Sequence, residues 1–270
     1  MEHPSKILNQ LNIHALKKFG QNFLVNTDSL KNVETIFDKN KTILEIGPGT
    51  GSVTEYLLSR NFSLVLSEID NTLVRYLDSC LGSRVEIIHG DFLEIDMEAI
   101  KRKGVTQIIG NLPFYITTPI IEKVMKEMPF IELMLIGIQK EVAERIIAKK
   151  GNSLSLFMQI YGDSSVFSRI KRGNFYPAPE VDAVWLLWRR NPQSDSPVEL
   201  ETLIRGAFWG KRKNIVNSFC KNPFFEKYEY AKKWPEKIKA LPWLQETSYR
   251  ADALELSDYI KILNEIKKIF

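Results

Sequence analysis

The sequence predicts an α/β fold: a Rossmann-like, mostly parallel sheet within residues 1–191, followed by a small all-helical C-terminal domain at 192–270. Three observations carry this. Short apolar runs alternate with helix-period segments from about residue 30 to 190, the signature of βα units. A Gly-rich turn, Gly47-Pro48-Gly49-Thr50-Gly51, closes the first of those runs. The segment Asn191-Pro192-Gln193-Ser194-Asp195-Ser196-Pro197 is polar, lacks periodicity and carries two prolines. It reads as a linker.

In order, residues 43–46 (Ile-Leu-Glu-Ile) form a short strand ahead of the glycines, and 53–58 a helix after them. Strand 64–66 and helix 73–81 follow, then strand 85–88 and helix 97–101. The run 106–110 ends a fourth strand through Ile108 and Ile109, and 119–128 is a helix with Pro119 in its first turn, where a missing N–H costs nothing. Residues 133–138 make a fifth strand, and the charged stretch 140–150 a helix. Two later strands, 164–170 and 181–188, are separated by a Pro-rich link and are expected to close the sheet as an antiparallel hairpin. Beyond the linker only helical patterns occur, at 200–209, 214–220, 236–241 and 257–269.

Composition narrows the function class. A chain of 270 residues with 44% hydrophobic and 26% charged residues can bury a sizeable core. Cys80 and Cys220 are far apart with no CxxC, and His3, His14 and His89 are scattered, so neither a disulfide framework nor a metal site is expected. No apolar run reaches membrane-spanning length, and the start Met1-Glu2-His3-Pro4 lacks the apolar core of a signal peptide. The expectation is a cytoplasmic monomer. Net charge is +4, which permits a nucleic-acid partner without requiring one. Basic clusters stand at Lys17-Lys18, Lys101-Arg102-Lys103, 169–172, Arg189-Arg190 and Lys211-Arg212-Lys213. Any one alone reads as a solvated helix end or loop; several on one face would track phosphates.

The glycine spacing is G-x-G-x-G, not the G-x-G-x-x-G of dinucleotide sites, and Pro48 removes one backbone donor. Gly47 and Gly49 let the backbone approach a ligand closely. By itself such a turn is equally a tight βα loop. Polar groups at successive strand ends add to it, because ligands of open α/β sheets bind there. Glu68 ends the second strand, where an acid accepts ribose hydroxyls. Asp91 ends the third, where a carboxylate accepts from an adenine amino group and Phe92 covers the ring. Asn111 ends the fourth. Asp70, ahead of Asn71-Thr72, reads as a helix cap.

Asn111-Leu112-Pro113-Phe114 supplies the other half of the chemistry. An exocyclic adenine amine is a poor nucleophile because its lone pair is delocalised. Two acceptors, the Asn111 side-chain oxygen and the Leu112 carbonyl, can hold its N–H bonds and direct the lone pair at an activated methyl. Pro113 fixes the chain so that the carbonyl is aimed, and Phe114 offers a stacking face. Taken alone, this is a Pro-terminated strand with a core Phe. Joined to the Gly-rich turn and the strand-end acids, it points to adenine-N6 methyl transfer.

These residues, in this order, resemble the small-subunit ribosomal RNA adenine dimethyltransferase (KsgA-like) family, over nearly the whole chain. Lys18-Phe19-Gly20-Gln21-Asn22-Phe23-Leu24 is similar to the family's FGQNFL signature, and 45–51 to its Gly-rich loop. The segments Asn111-Leu112-Pro113-Phe114, Gln139-Lys140-Glu141-Val142 and 175–182 resemble its later motifs, as do Ala207-Phe208, Lys211-Arg212-Lys213 and Arg250-Ala251. The resemblance implies a class I methyltransferase sheet and S-adenosylmethionine contacts at Asn22, Leu24, Gly47, Glu68, Asp91 and Asn111. It implies two methylations on each of two adjacent adenines in a hairpin near the 3′ end of small-subunit rRNA, in ribosome biogenesis. It also implies an RNA grip by the C-terminal domain, with Lys211, Arg212 and Lys213 as candidate contacts. The sequence departs from the family pattern at Phe114, where Tyr is commoner, and at Tyr115, Ala178 and Ala183. None of these removes a required group. The rivals are a large-subunit rRNA adenine methyltransferase conferring macrolide resistance, which shares the motifs, and a non-catalytic ribosome-assembly factor.

Overall fold

The computed structural model describes residues 2–12, 22–113, 115–210, 213–220, 222–245 and 249–269. Within them the chain divides into two compact units: 1–143 with 165–189, and 144–164 with 190–270. Residues 144–164 cluster with 190–270 in the second of these units.

The sheet has seven strands. In chain order they are β2 (Thr42–Ile46), β3 (Ser63–Glu68), β4 (Glu86–His89), β5 (Val105–Asn111), β6 (Leu133–Gln139), β7 (Gly162–Ile170) and β9 (Ala183–Arg190). Their spatial order is β4-β3-β2-β5-β6-β9-β7. The first five are parallel, and β9 runs antiparallel to β6. Residues of β5 and β6 are buried almost without interruption, as expected when both sheet faces are covered. Order reverses at β2, flanked by β3 and β5. This is the switch point where ligands of such sheets lodge.

The helices between the strands are α2 (Ser52–Leu58), α3 (Asn71–Leu81), α4 (Met97–Arg102), α5 (Thr117–Glu127) and α6 (Lys140–Ile147). Asp70 caps α3, accepting from the Thr72 and Leu73 N–H groups at 2.8 and 3.1 Å. Val53 and Leu57 of α2, with Leu77 and Leu81 of α3, pack on Ile43, Leu64, Leu66 and Ile109 of the sheet.

Two expectations change. The 140–150 helix stops at Ile147, because Gly151 takes a φ of +100° and Asn152 caps a new helix, α7 (Ser153–Tyr161). That helix, Ser-Leu-Ser-Leu-Phe-Met-Gln-Ile-Tyr, is apolar around most of its circumference and so shows no periodicity to read. The link 171–182 is also more than a hairpin turn. It carries β8 (Phe175–Tyr176), which leaves the main sheet and pairs antiparallel with β1 (Phe23–Leu24). Among the described residues ahead of β1 stands a short helix, α1 (Pro4–Gln10).

The second unit continues with α8 (Pro197–Phe208), α9 (Ile215–Cys220), α10 (Trp234–Lys239), α11 (Pro242–Gln245) and α12 (Leu256–Lys268). Its centre is aromatic: the Phe225 ring lies 5.7 Å from Phe219 and 5.8 Å from Trp234. Gly206 of α8 admits that ring, since a Cβ there would stand 2.1 Å from Phe225 Cζ. The Asn222 side chain donates to the Gly206 carbonyl at 2.9 Å, tying the 223–227 turn to α8.

Candidate functional site

A cleft of about 440 Å³ opens at the carboxyl ends of β2, β3 and β5, in the size range of small-molecule sites. Its walls include Asn22, Phe23 and Leu24 from the N-terminal side, the turn 47–50, Glu68, Asp91 and Phe92, and Asn111 to Pro113. The site residues expected from the sequence that fall within the described part of the first unit therefore meet at one cavity. Phe114, Lys211 and Arg212 lie outside the described residues, as does the 18–21 part of the FGQNFL-like segment. Lys213 is exposed in the second unit, with its ammonium 5.2 Å from the Trp209 ring centre.

The glycines of the turn are needed for geometry. Gly47 and Gly49 take φ of +66° and +58°, a region that side chains rarely adopt. A Cβ on Gly49 would also stand 2.9 Å from the Phe23 ring. Glu68 braces the turn: its Oε2 accepts from Gly49 N at 3.1 Å, and its Oε1 from Ile69 N and Asp70 N at 2.9 and 3.0 Å. Burial pushes the Glu68 carboxyl up, and the three N–H donors oppose that rise. Asp91 caps the short turn 92–94, accepting from Leu93 N at 2.9 Å, so its helix-cap role coexists with its place in the cleft. Phe92 is buried beside it.

Asn111 is held from two sides. Its Nδ2 donates to the Asn22 carbonyl at 2.8 Å. A carbonyl can only accept, so this bond fixes which end of the amide is which and leaves Oδ1 as the acceptor. Across the parallel register Asn111 pairs with Gly137 of β6, and a Cβ on Gly137 would lie 2.8 Å from Asn111 Oδ1. The Leu112 side chain is buried against Gly110, where a Cβ would meet it at 2.9 Å. The Pro113 carbonyl accepts from Ile116 N at 3.1 Å and from Thr117 Oγ1 at 3.2 Å, which anchors the loop to α5.

Several residues of the cleft escaped the sequence reading. Glu45 is fully buried; its only signal was an acid inside an apolar strand. It accepts from Thr54 Oγ1 at 2.7 Å, and burial pushes its carboxyl from the ordinary 4.5 to about 8. Ser67 Oγ is buried at the cleft with no hydrogen-bond partner among the described residues. Ile69 and Tyr115 line the cleft yet are 62% and 64% exposed, which is unusual for large apolar side chains.

The Glu45 shift has a measurable consequence. The native state binds this proton more tightly than the unfolded chain does. The contribution of this group to stability therefore falls as pH rises from about 4.5 to about 8, by about 1.4 kcal/mol per pH unit, and is flat above. Glu45→Gln keeps an acceptor for Thr54 without the titration. Urea unfolding is expected to show the variant close to wild type at low pH and increasingly more stable through that window. Parallel curves for the two proteins would contradict the assignment.

Among the described residues no cluster of His, Cys, Asp and Glu could hold a metal ion, and no helix is long and apolar enough to cross a membrane.

Residues 12–260 match the family model described as ribosomal RNA adenine dimethylase. The protein named ribosomal RNA small subunit methyltransferase A of Fusobacterium nucleatum is 38% identical over 216 residues, covering 75% of this chain and 81% of its own length. Its namesake in Macrococcus caseolyticus is 32% identical over 97% of this chain and 94% of its own. That of Streptococcus agalactiae is 34% identical over 94% of this chain and 92% of its own. Among solved structures, a dimethyladenosine transferase from Plasmodium falciparum aligns with a TM-score of 0.74 at 23% identity, covering 91% of this chain and 98% of that one. The 23S rRNA methyltransferase ErmE aligns at 0.67 with 21% identity, covering 92% and 100%. At those identities the two structures establish the fold only. The family model and the relatives above 30% identity establish more: this chain belongs to the ribosomal RNA adenine dimethylase family.

Proposed function

We propose that this protein transfers methyl groups from S-adenosylmethionine to the N6 amines of two adjacent adenines in a hairpin near the 3′ end of small-subunit rRNA. It acts on RNA in the small ribosomal subunit, in ribosome biogenesis and in the cytoplasm. The observation that carries the reading is the Asn111 amide at the same cleft as the Gly-rich turn and Glu68, with its Nδ2 end taken by the Asn22 carbonyl so that Oδ1 is the acceptor left over.

The cleft fits the cofactor on its own terms. A Cβ on Gly47 would meet no atom within 4 Å, so the backbone there faces open space, and Ser67 Oγ is a buried polar atom with no hydrogen-bond partner among the described residues. In this reading Glu68 accepts the ribose hydroxyls while its backbone donors hold it in place. Asp91 accepts from the adenine amino group, and Ile69 and Phe92 flank the ring. Asn22, Leu24, Gly47 and Gly49 complete the contacts. When bound, the cofactor supplies an electrophilic methyl on a sulfonium centre.

The protein's part is positioning. Asn111 Oδ1 and the Leu112 carbonyl accept the two amine hydrogens of the target adenine, so the nitrogen lone pair faces the methyl. No strong base is needed; alignment and fixed dipoles carry the acceleration. Phe114 is assigned to stack on the base, and exposed Tyr115 lines the cleft. The target base must leave its stack to enter. Lys211, Arg212 and Lys213 are assigned to the RNA backbone. The relatives above 30% identity bear the small-subunit name, which favours that substrate over the large subunit.

The test is digestion of RNA methylated by the purified protein. Dimethyladenosine is the expected end product. Label on ribose, or on another base, would overturn the reaction assignment.

A further inference from the structure

The basic cluster at 169–172 has no part in the cleft described above. β7 is an edge strand of the sheet, and alternate residues share a face. Phe167, Arg169 and, just past the strand end, Lys171 line one polar groove, while Ile170 between them is buried. Lys31, which follows the turn at 28–30, lines the same groove from a different part of the chain. The groove encloses about 450 Å³. Its walls are tied together: Ser168 Oγ donates to the Ser29 carbonyl at 2.6 Å, and Val25 N to the Asn174 carbonyl at 2.7 Å.

The charges are what set this groove apart. Lys31, Arg169 and Lys171 are exposed and have no ion-pair partner among the described residues, against the single acid Asp28, whose carboxylate already accepts from Asn26 at 3.0 Å. The cluster 101–103 behaves differently. Lys101 pairs with Glu98 and Arg102 with Asp96, both at 3.6 Å, and Lys103 pairs with Glu86. Two basic runs that look alike in sequence are thus neutralised in one place and left open in the other. Protection of an edge strand explains charges on β7, but it does not call for Lys31 to converge on them.

Position supplies the rest. The β1–β8 ribbon carries Phe23, Leu24 and Phe175 into the cleft, and the same two chain segments reach the groove at Asn26 and Asn174. The groove therefore adjoins the cleft through this ribbon, with Asn26 two residues past Leu24 and Asn174 next to Phe175.

We propose that this groove is a phosphodiester-binding subsite. Lys31, Arg169 and Lys171 hold the backbone of the RNA strand flanking the target adenine, and the amides of Asn26 and Asn174 supply further donors. The proposal rests on the reading that RNA is the substrate.

The experiment uses the full chain and a hairpin RNA with two adjacent adenines. Affinity is measured over a salt series for wild type and for K31A/R169A/K171A. Each lost phosphate contact removes about one unit from the slope of log affinity against log salt. The triple variant is expected to lose about two to three units and to bind about tenfold more weakly or worse at low salt, with cofactor affinity unchanged. The charge-preserving K31R/R169K/K171R should retain the slope, and K101A/R102A/K103A should not alter it. If the triple variant fails to unfold cooperatively, the three single substitutions carry the same test at about one unit each. A wild-type slope in the alanine variants would overturn the groove assignment. Absence of methyl transfer by wild type would instead overturn the proposed function, with the slopes still deciding the groove.

Discussion

Asn111→Ala is expected to lower single-turnover methyl transfer by about a hundredfold to a thousandfold, the range seen when one preorganised polar group is removed from a transition state. RNA affinity is expected to stay within about twofold of wild type, because the cost falls on aligning the amine and not on gripping the backbone. The physical case is the two-sided clamp. The Asn22 carbonyl takes the Nδ2 end of the amide at 2.8 Å, so Oδ1 is presented without a search over rotamers. Alanine removes the acceptor and its orienting bond together. Equal losses in RNA binding and in the chemical step would contradict the role assigned to this side chain.

Gly137→Ala is expected to lower the same rate by about tenfold to a hundredfold, although Gly137 contributes no group to the chemistry. The added Cβ would stand 2.8 Å from Asn111 Oδ1 and 3.4 Å from both Asn111 Cα and the Trp185 ring. Trp185 is fully buried and cannot yield, so the Asn111 amide must move. The thermal midpoint is expected to change little, giving a fall in kcat with KM for RNA nearly unchanged. A variant that keeps its rate, or loses rate only in proportion to its folded fraction, would remove Gly137 from the account.

Much of the first unit was legible because its signals are local. Strands β2 to β6 announce themselves as apolar runs between glycines and polar helices. Glu68 and Asn111 each end one of those runs, and Asp91 follows Gly90 just past another. What stayed hidden depends on pairing across long separations. The bond between Asn111 and Asn22 spans 89 positions, and the need for glycine at 137 exists only in the register of β5 with β6. The two-residue strands β1 and β8 are too short for alternation to show. Helix α7 is too evenly apolar. The buried proton of Glu45 looks in sequence like any acid, and the paired cluster 101–103 looks like the open one at 169–172 until their partners are placed.

Dimethylation of small-subunit rRNA can be checked in a single comparison. Purified protein is given labelled S-adenosylmethionine with small and, separately, large ribosomal subunits lacking the modification, and the labelled nucleosides are identified. Dimethyladenosine in the small subunit alone is the expected result. Label confined to the large subunit would contradict the substrate assignment while sparing the chemistry. Bound cofactor with no label in either subunit would contradict catalysis itself and leave a ribosome-assembly factor as the reading of this fold.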